Sequence, residues 1–133
     1  MPQLIDRIAA SRYVSLTTFR RSGVGVSTPV WIAREAGSDR LLAITSTGTG
    51  KEKRLRRDAR VELRPCDIRG RVPSGARIVG ATAEVVRDPA TIERLAVDFT
   101  RKYGLQFRLY RLVERLIPNG ETDVILRITL DPR

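Results

Sequence analysis

The sequence predicts a mainly β fold, six antiparallel strands with helices set between them. Three observations lead there. Short runs rich in β-branched and aromatic residues recur along the chain, Gly-, Ser- and Asp-bearing turns punctuate them, and helical apolar stripes are confined to a few segments. A length of 133 residues is that of one ordinary domain, and no internal repeat or linker divides it, so residues 1–133 are expected to form a single unit.

The elements follow in order. Residues 2–10 place Leu4, Ile5 and Ile8 at helical spacing behind Pro2, predicting a short opening helix. From Arg12 the pattern turns to alternation, with Tyr13, Ser15, Thr17 and Phe19 against Val14, Leu16 and Thr18. Arg21-Ser22-Gly23 is a turn, and Val24 to Arg34 completes a hairpin. After Gly37-Ser38-Asp39, Arg40 to Ser46 reads as a strand buried on nearly both faces. Thr49 with Glu52 forms a capping-box pattern, so a helix is expected to start at Thr49. Arg60 to Cys66 is a strand, Asp67 to Ser74 a loop, and Gly75 to Arg87 a long strand expected to bend near Gly80 to keep Ile78, Ala81 and Val85 in phase. Asp88-Pro89 opens a helix whose stripe is Ile92, Leu95, Ala96, Phe99 and Tyr103, ended by Gly104. Leu105, Leu109, Leu112, Val113 and Leu116 form a second stripe, closed by Pro118-Asn119-Gly120, with Arg108, Arg111 and Arg115 on a solvated face. Asp123 to Leu130 is the sixth strand.

Composition removes several function classes. With no histidine and a single cysteine, Cys66, the chain has no means to build a usual zinc site, a disulfide framework or an imidazole-based triad. Cys66, without a histidine to activate it, is expected to act as a small hydrophobe. No apolar run is longer than that of Leu41 to Ile44, far short of the roughly 20 residues a membrane span needs, so a membrane is not expected as a partner. Asp6 and Arg7 interrupt the start where a secretory signal would be apolar, so a cytoplasmic location is expected.

The net charge of +10 is unevenly spread. Residues 51–77 carry ten basic residues against four acids, whereas residues 78–133 carry nine against eight. Such a concentration attracts an acidic partner. Nucleic acid is not expected to be that partner. Residues 51–77 contain no Phe, Tyr or Trp on which bases could stack, and strands dominate where a helical reader would be needed.

Two segments can carry chemistry. Between Thr45 and Arg54 a strand runs through Ser46-Thr47-Gly48-Thr49-Gly50 into a helix, gathering backbone N–H groups and hydroxyls at the positive end of a helix dipole. Lys51, Lys53 and Arg54 can neutralise an anion there. It is not a nucleotide-hydrolase phosphate loop, since that motif would put its first glycine at Thr45 and its closing hydroxyl at Glu52. In Thr28-Pro29-Val30-Trp31, a proline inside a hairpin strand marks an edge or bulge with neighbouring backbone left free. A planar ligand could dock there beside Trp31, and a core role for Trp31 is the equal alternative.

Taken together, Thr28-Pro29-Val30-Trp31, the strand end Thr45-Ser46, the run Gly50 to Arg57 and the run Arg60 to Gly70 resemble the pyridoxamine-phosphate-oxidase-like class of F420-dependent enzymes. The resemblance covers roughly residues 12–130. It implies a six-stranded antiparallel split β-barrel of the FMN-binding type that forms a homodimer, with a flavin or deazaflavin at the subunit interface and a small-molecule substrate. It would place the cofactor phosphate against Thr45, Ser46, Lys51 and Arg54 with Lys53 nearby, and the ring along Ser27, Thr28, Pro29, Val30 and Trp31. Arg56, Arg57, Arg69 and Arg71 would face the acidic tail of coenzyme F420. FMN, with one phosphate, is the alternative cofactor, and a non-catalytic F420 carrier the alternative role. The vitamin substrate of pyridoxamine phosphate oxidase is not expected, because its site relies on a histidine.

Overall fold

The structure, a computed structural model, describes residues 4–46, 50–116 and 123–132. The elements run α1 (Leu4–Ala10), β1 (Tyr13–Phe19), β2 (Gly25–Arg34), β3 (Arg40–Ser46), α2 (Gly50–Arg57), β4 (Arg60–Cys66), β5 (Val79–Val86), α3 (Pro89–Tyr103), α4 (Leu105–Leu116) and β6 (Asp123–Leu130). The expected helix start at Thr49 and the stop at Pro118-Asn119-Gly120 lie outside the described residues.

All six strands join one closed antiparallel barrel in the order β1-β2-β3-β6-β5-β4, with β4 pairing back to β1. Period-two alternation sends one set of side chains inward. Val14, Leu16, Val30, Ile32, Leu41, Ala43, Val61, Leu63, Ala81, Leu126 and Ile128 fill the interior. Ile5 and Ile8 of α1 plug one end, and Leu55 of α2 joins the same core from the end where β1 finishes. The opposite set on β3, β5 and β6, including Leu42, Ile44, Val86 and Ile125, faces outward under Ile92, Leu95, Phe99 and Tyr103 of α3 and Phe107 of α4.

The β2–β3 ladder is short. It holds only at Ile32↔Ala43, Ala33↔Leu42 and Arg34↔Leu41, while β2 stays paired with β1 back to Gly25. Along Ser27 to Trp31, β2 is therefore bonded on one side alone, which is where a residue without an N–H, Pro29, fits. At the other end, Tyr13↔Trp31 is the last β1–β2 pair, and side chains take over from the ladder. The Tyr103 hydroxyl accepts from the Ile32 N–H at 3.0 Å and donates to the Arg12 carbonyl at 2.7 Å. The Lys102 ammonium donates to the carbonyls of Ala9, Ser11 and Ile32 at 2.6–2.7 Å. The end of α3 thus ties α1, β1 and β2 together.

Helix α3 starts and stops as its sequence dictates. Asp88 caps it by accepting from the Thr91 N–H at 3.0 Å, Pro89 opens the first turn, and Gly104 at φ +60° ends it, its N–H donating to the Thr100 carbonyl.

Two expectations are corrected. Strand β5 begins at Val79, not Gly75, because Gly75 sits in a turn at φ +81°. Ile78 is consequently outside the strand and exposed, and the register from Ala81↔Leu130 to Val86↔Ile125 runs unbroken, with no bulge at Gly80. Helix α4 packs on the side opposite to its leucine stripe. Phe107 is buried and Tyr110 half-buried against the barrel, while Leu105, Leu109, Leu112, Val113 and Leu116 are exposed. Arg108 and Arg115 are solvated as expected, but Arg111 is largely covered and paired with Glu93.

Phe99 has no exposed surface and joins the ring stack of Tyr103 and Phe107. Phe99→Ala is expected to lower unfolding free energy by about 3–5 kcal/mol, the range for emptying a buried aromatic site, read as a lower urea midpoint with an unchanged m-value.

Candidate functional site

Helix α2 owes its position to one apolar residue, Leu55, which anchors an otherwise polar helix over the barrel end. This orients the remaining side chains. Arg54 lies across the bare Cα of Gly50, where an added Cβ would stand 2.6 Å from its Nη1, and its Nε donates to the Thr18 hydroxyl at 2.6 Å. Arg57 donates to the Phe19 carbonyl at 2.7 Å. Glu52, almost wholly buried, pairs with Arg56 at 3.2 Å and with Arg87 at 3.1 Å.

The cations Arg20, Lys51 and Arg54 form the unneutralised part of this end. Burial, and then the neighbouring Arg54 guanidinium, hold the Lys51 ammonium below its ordinary pKa. Burial, and then Arg20, do the same to Arg54. Arg20, Lys51 and Arg54 enter no ion pair among the described residues. A protein that crowds cations without acids has built a place where an anion is stabilising.

The other predicted residues distribute as follows. Thr45 is buried and inward, and Ser46 is half-buried opposite Asp123. Lys53 is exposed. On β2, Ser27 is exposed and its hydroxyl bonds that of Thr17 at 2.6 Å, so β2 connects to Thr18 and Arg54 through adjacent residues of β1. Thr28 places its hydroxyl oxygen in a buried position with no hydrogen-bond partner. Pro29 is exposed, and the backbone of Gly70, at φ +82°, lies against its ring. Gly70 belongs to the loop that holds Arg69 and Arg71, whose backbone N–H groups both donate to Asp67, with the Arg71 side chain also paired to it. This loop and the Pro29 strand come together; the cations of α2 gather separately at the β1 end.

Val30 points its side chain into the barrel core, and half-buried Trp31 turns outward, stacked on Tyr103 at 5.0 Å and meeting Tyr110 edge-on at 5.3 Å. Lys51 and Arg54 are both half-buried. Arg56 and Arg71, expected to face an acidic tail, are already paired with Glu52 and Asp67.

Sequence reasoning missed Arg20, Arg87 and an acid pair. Tyr110 donates to Asp123 at 3.1 Å, and burial first, then the neighbouring Asp123, push the Glu114 carboxyl up to about 7. The pair lines a cavity of about 320 Å³ with Arg87, Arg111 and Arg115. Cys66 is half-buried, and burial with the neighbouring Asp67 raises its thiol pKa, which disfavours a nucleophilic thiolate.

With this geometry, comparison with known proteins is informative. The profile of the pyridoxamine 5'-phosphate oxidase family matches residues 1–129. The chain belongs to the pyridoxamine 5'-phosphate oxidase family. Among solved structures of this fold, it is similar to Rv2991 of Mycobacterium tuberculosis, at 23% identity and a TM-score of 0.67 over 97% of this chain and 79% of that one. It is similar to an F420 reductase at 16% identity and 0.56, over 99% and 97%. A third likeness, at 16% identity and 0.58 over 94% and 83%, is to an FAD-binding protein of Mesorhizobium loti. No curated protein matches. At these identities the structural likenesses establish the fold, and two of these proteins are named for different cofactors, F420 and FAD.

The acid pair has a pH signature. Glu114 binds its proton at about 7 in the folded chain against an ordinary 4.5, so the folded state holds an extra proton between those values, and stability falls as pH rises from about 4.5 through about 7. Urea midpoints at the two ends of that window should show this decline, and Glu114→Gln should flatten it.

Proposed function

We propose that the chain is a homodimeric oxidoreductase that binds coenzyme F420 and transfers a hydride between it and a small organic substrate. The observation that carries this reading is the crowding of Arg20, Lys51 and Arg54, without an acid partner, at the barrel end where Gly50 lets a guanidinium lie flat on the helix start. The cofactor's phosphate fits there, held by Lys51 and Arg54 with Ser46 and Lys53 at the margin. The backbone fits on a second count as well: β3 leaves the stretch of β2 from Ser27 to Trp31 unpaired, with Ser27 and Pro29 exposed.

When bound, the deazaflavin supplies the hydride chemistry, and the protein supplies binding and orientation. Ser27 and Pro29 present a flat, exposed strand to the ring, and the loop of Arg69 and Arg71 borders that strand through Gly70. The second copy sits on the outer face of β1, β2 and β4 away from Trp31, the end that α3 and α4 cover. Its side chains are short or polar there, with Ser15 between Pro29 and Arg64, and Thr17 between Ser27 and Glu62. Similarity to an F420 reductase supports the choice of cofactor.

FMN is the second reading, favoured by the pairing of Arg56 and Arg71 with acids, which leaves less free charge for an oligoglutamate tail. A non-catalytic F420 carrier is separated from an enzyme by whether bound reduced cofactor is consumed when acceptors are supplied.

Titration with F420 and with FMN, followed by visible absorbance, distinguishes the cofactors. Binding of FMN alone at micromolar levels would remove F420. Lys51→Ala should weaken the cofactor by about 1–3 kcal/mol with the fold unchanged. Arg54→Ala should do the same and also lower stability by about 1 kcal/mol, because the fully buried Thr18 loses its donor. Affinity unchanged from wild type in both variants would place the phosphate elsewhere.

A further inference from the structure

Helix α4 offers a surface that neither the barrel nor the proposed cofactor site uses. At ~100° per residue its side chains divide into two sets. Phe107, Tyr110 and Glu114 point inward. Leu105, Leu109, Leu112, Val113 and Leu116 occupy an outward arc of about 100°. Leu105 and Leu116 are each 71% exposed, and the other three about half. Val97 of α3 extends the patch, and a groove of about 440 Å³ between the two helices joins Val97 and Leu112 to Arg108, Arg111 and Arg115. The helix has no freedom to roll its leucines inward, because Phe107 and Tyr110 are locked against Phe99 and Trp31, Tyr110 is bonded to Asp123, and Arg111 is paired with Glu93.

We propose that this face docks on an anionic lipid bilayer, with α4 in the plane of the interface, its leucines below the phosphates and Arg108 and Arg115 among them. Five large apolar side chains on one arc, flanked by cations, are what an interfacial helix requires. Arg108 and Arg115 flank the stripe on the α3 side, enter no ion pair among the described residues, and have aliphatic stems long enough to reach lipid phosphates over the leucines. The net charge of +10 draws the whole chain to such a surface.

A second copy is the competing occupant, since Leu105, Leu109, Leu112 and Leu116 follow a two-helix seam spacing. Charge opposes it. Antiparallel α4 helices would set Arg108 against Arg115 of the other copy, and parallel ones would set both against Gln106 and Val113, so neither arrangement neutralises a guanidinium. Lipid phosphates do. No described helix is long and apolar enough to cross a membrane. The sequence reading set the membrane aside for want of a span, and contact through one helix face requires none.

The test is co-sedimentation of the full chain with vesicles of phosphatidylcholine, with and without phosphatidylglycerol, across a salt series. The wild type should bind the phosphatidylglycerol vesicles, less as salt rises, and bind phosphatidylcholine weakly. Leu109→Ser with Leu112→Ser, and separately Arg108→Gln with Arg115→Gln, should each weaken partitioning by about tenfold or more, with urea midpoints near wild type because these side chains are exposed. Three results would overturn the proposal: no binding to phosphatidylglycerol vesicles, binding indifferent to the leucine pair, or equal binding to both lipids. If the wild type ignores vesicles and the leucine variant loses mass by light scattering, the stripe belongs to a second copy.

Discussion

The early parting of β2 from β3 is the constraint on which the rest of the molecule depends. After three residue pairs the two strands separate, and β2 continues with β1 alone. A barrel that loses part of a ladder must secure the strand by other means, because unbonded backbone in a protein interior is destabilising. Where β2 in turn leaves β1, beyond Tyr13↔Trp31, the means are side chains: Tyr103 and Lys102 satisfy the groups at Ile32, Arg12, Ala9 and Ser11. On the far side, Pro29 removes a donor from the stretch that has lost its neighbour. The parting also leaves a polar strand accessible next to the barrel end that α2 covers, so the same constraint that makes the fold irregular makes room for a ligand.

Electrostatics at that end is arranged by contrast. Within one eight-residue helix, Glu52 is buried and satisfied by Arg56 and Arg87, whereas Lys51 and Arg54 stand beside Arg20 with no acid. The buried carboxylate holds part of the positive charge in place structurally, and the remainder stays available. The total charge of the helix is therefore a poor guide to what it can bind. What matters is which cations already have partners, and that is a property of packing.

Much of the fold was legible because its strands obey simple patterns. Arg40–Ser46 and Arg60–Cys66 begin and end where alternation and turn residues place them. Asp88-Pro89 and Gly104 bound α3 because each meets a local stereochemical need at a helix end. Other features depend on partners that periodicity does not name. Insertion of β6 between β3 and β5 is a long-range choice. Ile78 resembles a strand residue, yet Gly75 turns the chain ahead of it. The leucine stripe of α4 is a strong helical signal, but the aromatic cluster on Phe99 and Trp31 claimed the opposite face. Lys51 and Arg54 were found from their place after a strand and two glycines. Arg20 was not, because it nears them only once the β1–β2 turn and α2 meet at one barrel end. Val30 and Trp31 sit on the predicted strand, and its alternation sends Val30 into the core and Trp31 outward on the face of Ser27 and Pro29, where α3 and α4 meet it.

The position of β6 bears on how the chain is made. Strands β3 and β5 are translated well before the segment that must lie between them. During synthesis each therefore presents a naked hydrogen-bonding edge, and the apolar interior stays unsealed until β6 emerges. A ribosome-bound intermediate would be an unclosed sheet, vulnerable to pairing with neighbouring nascent chains, and delays in reading the codons of β6 would prolong that hazard.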